Sequence, residues 1–156
     1  MSNQTCLGEA EIEAFGRFVE AGGTLLAAGE CGTRNHHGKA REQCPIFDLL
    51  GLRYEGISTQ YETNGVRGYV PWVDHPYFRH LRNVEYNLWH NWPMVTAVEA
   101  EQITPVIKPV AVENDDNYVG WFPLPPGTPT SYAGLTERRL GRGRAIYSVS
   151  PIVWFD

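Results

Sequence analysis

The stretch "GGTLLAAGECGTRN", residues 22–35, decides the fold. Its double glycine ends whatever precedes it, because glycine enters the left-handed conformation at little cost. Thr24 to Ala28 then form a short apolar run with little alternation, the pattern of a strand covered on both faces. Cys31 follows between Gly29 and Gly32, as a thiol held at a strand end. Two questions follow: what shelters the strand, and what the thiol does.

Upstream, "GEAEIEAFGRFVEAGG" predicts a helix. Ile12, Phe15, Phe18 and Val19 recur at three- and four-residue spacing, with Glu9, Glu11, Glu13, Arg17 and Glu20 mostly on the other face. Acidic residues crowd its first turn, at the positive end of the helix dipole. Helix, glycine stop and buried strand make the second half of a βαβ unit. The first half would have to lie before Met1.

Downstream, a polar loop over residues 29–44 leads to "PIFDLLGLRYEG". Pro45 at a helix start, Ile46, Leu49 and Leu50 on one side, and Gly51 as a stop predict a short helix, with a strand through Leu52 and Tyr54. Between about residues 57 and 125 lie β-like pieces such as "GYVPWV" and "PVIKPVAV". Their prolines predict edge strands or irregular connections. "DHPYFRHLR" predicts a helical turn capped by Asp74. "SYAGLTERRLGRGRAIYSVS" predicts two strands joined by a glycine-containing hairpin turn. The chain of 156 residues reads as one domain in three stretches: a helix–strand–loop–helix–strand core over 1–58, an irregular aromatic and proline-rich segment over 59–130, and a C-terminal hairpin over 131–156.

Composition narrows the function classes. An apolar fraction of 42% and a charged fraction of 20% belong to an ordinary globule, and a net charge of −5 argues against nucleic acid or acidic membrane as partners. No run approaches the roughly 20 apolar residues of a membrane-spanning helix, and the N-terminus lacks the pattern of a signal peptide. Three cysteines, Cys6, Cys31 and Cys44, predict free thiols in a reducing cytoplasm. Eleven of the thirteen basic residues are arginine, which suits fixed, forked pairing.

Asn3 to Leu25 read N-x-x-C-L-x-x-x-x-I-x-A-F-x-x-F-V-E-A-G-G-T-L, followed by a glycine after the strand, a polar loop and "FDLLGLRYEG". This order resembles the class I glutamine amidotransferase-like domain, in the non-catalytic branch typified by the trimerisation domain of family 42 beta-galactosidases. "LGRGRAIYSVSP" is similar to a late strand of that domain, and the middle of the chain carries no likeness. Gly8 stands where the family has a serine-like cap. The resemblance implies an α/β, three-layer flavodoxin-like sheet, here partial because its N-terminal half is missing, with mixed parallel and antiparallel strands and the C-terminal β-hairpin. It implies an assembly or interaction module rather than an enzyme. An open strand edge at Thr24–Ala28 needs cover, either from replacement strands of the middle segment or from a second copy of the chain, and of the two a homo-oligomer, most simply a dimer, is expected.

Catalytic relatives end the same strand in a G-x-C-x-G turn. Gly29, Glu30, Cys31 and Gly32 reproduce most of it, but Thr33 replaces the last glycine and no histidine follows His90. Thiol catalysis needs an activating base, so Cys31 is a weak nucleophile candidate, for a hydrolase or amidotransferase, and a packing residue is the expected role. Cys31, His36, His37 and Cys44 are zinc-compatible ligands in a spacing that matches no standard finger, so no metal is expected. No cofactor motif is present either. Trp72, Trp89, Trp92, Trp121 and Trp154 lie outside the helix–strand core. Within residues 69–92, Trp72, His75, Tyr77, Trp89, His90 and Trp92 form the candidate ligand set, aromatic faces beside hydrogen-bonding groups that suit a small molecule, a carbohydrate among them, although core or interface packing is the more ordinary role for such aromatics. Arg138, Arg139, Arg142 and Arg144 read as solvated cations around a hairpin turn.

Overall fold

The computed structural model describes residues 1–58, 66–110 and 124–150. Trp121, Trp154 and the end of the C-terminal stretch, residues 151–156, lie outside them. Six strands, numbered along the chain, form one mixed sheet in the spatial order β1 (Thr24–Ala28), β8 (Gly143–Ser148), β7 (Pro126–Leu140), β6 (Glu101–Pro109), β3 (Gly68–Val70) and β4 (Tyr86–Leu88). β2 (Leu52–Ile57) and β5 (Pro93–Ala97) make a separate antiparallel pair. The large sheet curls into a half-barrel with few helices.

The expectation of a three-layer flavodoxin-like sheet is therefore corrected: the fold is mostly β. Only β1 and β8 run parallel; every other ladder of the sheet is antiparallel. A layered α/β sheet needs crossover helices on both faces. Here the helices α1 (Glu9–Glu20) and α2 (Pro45–Leu49) share one face, where Phe47 of α2 meets Tyr147 of β8 edge-on at 5.5 Å. The mixture of parallel and antiparallel strands and the C-terminal hairpin stand as expected.

Local sequence explains the elements. The carboxylate of Glu11 accepts the Gly8 N–H at 2.7 Å, the half of a capping box that needs no side chain at the cap position of α1. Gly22 closes the helix at φ +114, a conformation that glycine adopts readily. Pro45 opens α2. Phe18 departs from the expected apolar stripe: it is 54% exposed, and its ring covers the backbone of Gly23.

Proline does not confine the middle strands to edges. β6 lies between β7 and β3, and β3 between β6 and β4. The β6–β7 ladder absorbs Pro105 and Pro109 through repeated register shifts, which leave a strand without its full set of donors.

The arginines are not merely solvated. Arg142 donates its backbone N–H to the carbonyl of Glu20 and its guanidinium to that of Ala21, both at 3.1 Å, so the β7–β8 turn caps the end of α1. Arg138 donates to the carbonyls of Asp48 and Leu49 at 2.8 and 2.9 Å, capping α2, and pairs with Glu99. This approach requires Gly143, where a Cβ would sit 2.1 Å from the Val19 carbonyl oxygen.

β1 lies at the end of the sheet. Its Leu25 and Ala27 bond towards β8, which turns the N–H and C=O groups of Thr24, Leu26 and Ala28 to the open side. Met1 and Asn3 engage Ala28 there, at 3.0 and 2.9 Å, as a short parallel bridge. The middle and C-terminal stretches supply the rest of the sheet. The same order leaves the outer edge of Thr24 without a strand beside it among the described residues.

Candidate functional site

The strand face opposite the helices carries an apolar groove with a volume of about 460 Å³. Leu26 of β1, Leu135 of β7 and Ile146 of β8 form its floor, and Val70 and Leu88 extend it across β3 and β4. Tyr77 and Phe78, from a short 3₁₀ turn over Pro76–Phe78, wall it together with Leu81 beyond the turn. That turn is fixed locally. Pro76 starts it, and the cap is His75 rather than the expected Asp74, its Nδ1 accepting the Tyr77 N–H at 3.3 Å. Trp72 donates its indole N–H to the Phe78 carbonyl at 3.1 Å.

One end of the groove is polar. The Tyr77 hydroxyl donates to a carboxylate oxygen of Glu137 and lies 3.5 Å from the Arg144 guanidinium. Arg144 also reaches the Thr24 hydroxyl at 3.4 Å, and Arg139 stands 3.9 Å from Glu137. Burial, then the Glu137 carboxylate, push the Tyr77 phenol upward, so it remains a neutral donor at physiological pH.

The six residues proposed from sequence do not converge. Trp72, His75 and Tyr77 come together, with the His75 and Tyr77 rings 4.8 Å apart, but only Tyr77 lines the groove. Trp92 is 1% exposed, packs edge-on against Tyr132 and donates its indole to the Arg67 carbonyl at 3.0 Å; it belongs to the core. Trp89 is 55% exposed, beside an exposed His90, and neither lines the groove. Sequence reading missed Leu26, Leu135 and Ile146. The signal for Leu26 was the apolar character of both faces of β1, read as burial on both sides.

Cys31 is fully buried and donates its thiol to the Ala28 carbonyl at 2.8 Å. Burial raises its pKa, which opposes the thiolate that nucleophilic attack needs. Its geometry is that of a packing residue. Cys44 is also buried, and its thiol is pushed up to about 11. His36 and His37 lie with their rings 3.8 Å apart and tilted by 44° in an exposed loop, and no metal-binding group of three side chains occurs among the described residues. All three cysteines are free, and no helix there is long and apolar enough to cross a membrane.

A second hollow of similar size lies between α2 and β2, lined by Glu42, Cys44, Asp48, Arg53, Tyr54 and Glu99 among others. Burial raises the Tyr54 phenol to about 12. Its polar walls are engaged in the fold: Arg53 pairs with Glu55, and Glu99 with Arg138.

No protein-family profile matches the chain, and no curated protein does. Solved structures share its fold. The beta-galactosidase from Rahnella sp. R3 superposes with a TM-score of 0.65 at 20% identity, over 94% of this chain and 19% of its own. Gan42B, a GH42 beta-galactosidase from G. stearothermophilus, gives 0.62 at 19% identity, over 94% of this chain and 18% of its own. An alpha-L-fucosidase isoenzyme from Paenibacillus thiaminolyticus gives 0.67 at 15% identity, over 96% and 20%. The chain thus spans about a fifth of the length of these enzymes, and its fold resembles one domain of glycoside hydrolases. The likeness fits the beta-galactosidase-like expectation but not the amidotransferase-like one.

Proposed function

We propose that this chain is a non-catalytic interaction module of the type built into glycoside hydrolases, and that it self-associates along the open side of β1. One observation carries the reading: β1 ends the sheet with the peptide groups of Thr24 turned outward, while residues 1–3 engage Leu26 and Ala28 on that side. An edge of that kind invites pairing with another strand. The nearest approach to a nucleophile, Cys31, supports it as well, because that thiol is sealed and its proton firmly held. Likeness to one domain of longer enzymes is consistent with a module that serves assembly rather than chemistry.

Size-exclusion chromatography with light scattering tests the reading. The protein is expected to run as a dimer at tens of micromolar, and Thr24→Pro, which removes an outward N–H, to run as a monomer. A wild-type protein that stays monomeric across that range refutes self-association.

A further inference from the structure

The groove and the β1 edge are different surfaces: the edge offers peptide groups in the plane of the sheet, whereas the groove lies on its face. We propose that the groove is a binding site for a small amphiphile with an aliphatic body and a carboxylate end, seated with the carboxylate on Arg144. The inference does not depend on self-association.

Shape and lining define the body. About 460 Å³ falls within the usual range for small-ligand sites. Leu26, Leu81, Leu135, Val70 and Ile146 offer branched aliphatic surface, and Tyr77 and Phe78 add ring edges. Such a lining gives an alkyl chain contact along its length and gives a sugar few hydrogen-bonding partners. Leu26 is 39% exposed, so a strand residue that could be covered keeps an open apolar face.

Charge defines the end. Glu137 is already served by the Tyr77 hydroxyl and by Arg139 at 3.9 Å. Among the described residues Arg144 touches neutral oxygens alone, of Thr24 at 3.4 Å and Tyr77 at 3.5 Å, both at the limit of hydrogen bonding. It extends from β8 two residues before Ile146, hence on the groove face, and one bond away from a lining hydroxyl. A planar guanidinium with no carboxylate partner among the described residues, beside an apolar groove, matches a carboxylate better than an alcohol or an amine. The Tyr77 hydroxyl, held by Glu137, fixes where that end can sit.

Isothermal titration of the full chain with octanoate, octan-1-ol and octylamine, each below its aggregation limit, tests both parts. Octanoate is expected to bind about tenfold or more tightly than octylamine, with octan-1-ol between them. Arg144→Gln is expected to erase the octanoate preference while leaving octan-1-ol affinity within about twofold, and Arg144→Lys to restore part of it. Leu26→Glu, at a position 39% exposed, is expected to abolish octanoate binding with the thermal transition retained. Absence of binding by all three ligands overturns the site, and an octanoate preference that survives Arg144→Gln overturns the assigned orientation. A dimer that Leu26→Glu dissociates, with no octanoate binding by the wild type, would place a second copy in the groove and refute the proposal.

Discussion

The two faces of the β1–β8 pair are built from similar residues and meet different fates. Leu25, Ala27, Ala145 and Tyr147 point towards α1 and α2 and are buried in the core. Leu26 and Ile146, one step along the same strands, line the groove, where Leu26 keeps 39% of its surface although Ile146 is buried to 9%. A helix lies over one face only. An apolar run in a strand therefore records two apolar faces; it does not record two covered ones. The covered face carries stability, and the open face is free for recognition.

The largest expected effect separates the faces directly. Tyr147→Ala removes a fully buried ring that packs on Phe47 and donates to the Gly29 carbonyl at 3.2 Å. It should cost about 3–5 kcal/mol in urea unfolding, the range for large aromatic truncations. Leu26→Ala, across the strand pair, should cost under about 1 kcal/mol, because much of that side chain already meets water. Equal losses would mean that both faces are covered in solution, and the distinction between them would fall.

A smaller effect tests how the covered face is closed. The β7–β8 turn presses on the end of α1 so closely that a methyl group at Gly143 would meet the carbonyl oxygens of Val19 and Gly23 at 2.1 and 2.2 Å. Both are backbone atoms, and moving them tilts the helix off the sheet. Gly143→Ala should cost about 1–3 kcal/mol, the range for forcing extra volume into a packed site. Octan-1-ol binding in the groove should be unaffected. An unchanged unfolding midpoint would show that the turn does not clamp the helix.

Periodicity made the covered face legible. Ile12 and Val19 at helical spacing, the stop at Gly22 and the short helix opened by Pro45 all follow from local rules, and the structure has them. The C-terminal hairpin was equally plain, because Gly141 permits a tight turn between two β-prone runs. Fold class was not legible, since the direction in which strands pair depends on partners more than a hundred residues apart, as Thr24 is from Arg144. Proline in β6 argued for an edge, but register shifts allow an interior position. Of the six candidate ligand residues, only Tyr77 reaches the groove, because the turn at His75–Phe78 sends neighbouring aromatics to different surroundings. The arginines looked solvated because a helix end that needs capping carries no mark at the distant arginine that caps it.

The smallest effect concerns pH, and it too belongs to the covered face. Burial raises Cys44 from 9.0 to about 11 and Tyr54 from 10.0 to about 12. Each group is neutral when protonated, so the folded state holds a proton that the unfolded chain has already released. Stability is then full below pH 9 and falls as pH rises, first through the window from 9 to about 11 for the thiol and then from 10 to about 12 for the phenol. Urea midpoints should be flat from neutral pH to about 8.5 and decline above it. Tyr54→Phe should flatten the upper part of that decline while keeping the ring stacked on Phe47, whose centroid lies 5.2 Å away. Tyr77→Phe, on the groove side, removes a phenol whose carboxylate partner stays partly hydrated, so it should change the slope less. If Tyr77→Phe flattened the decline more than Tyr54→Phe, the groove would be the drier of the two surfaces, and the contrast between the faces would be reversed.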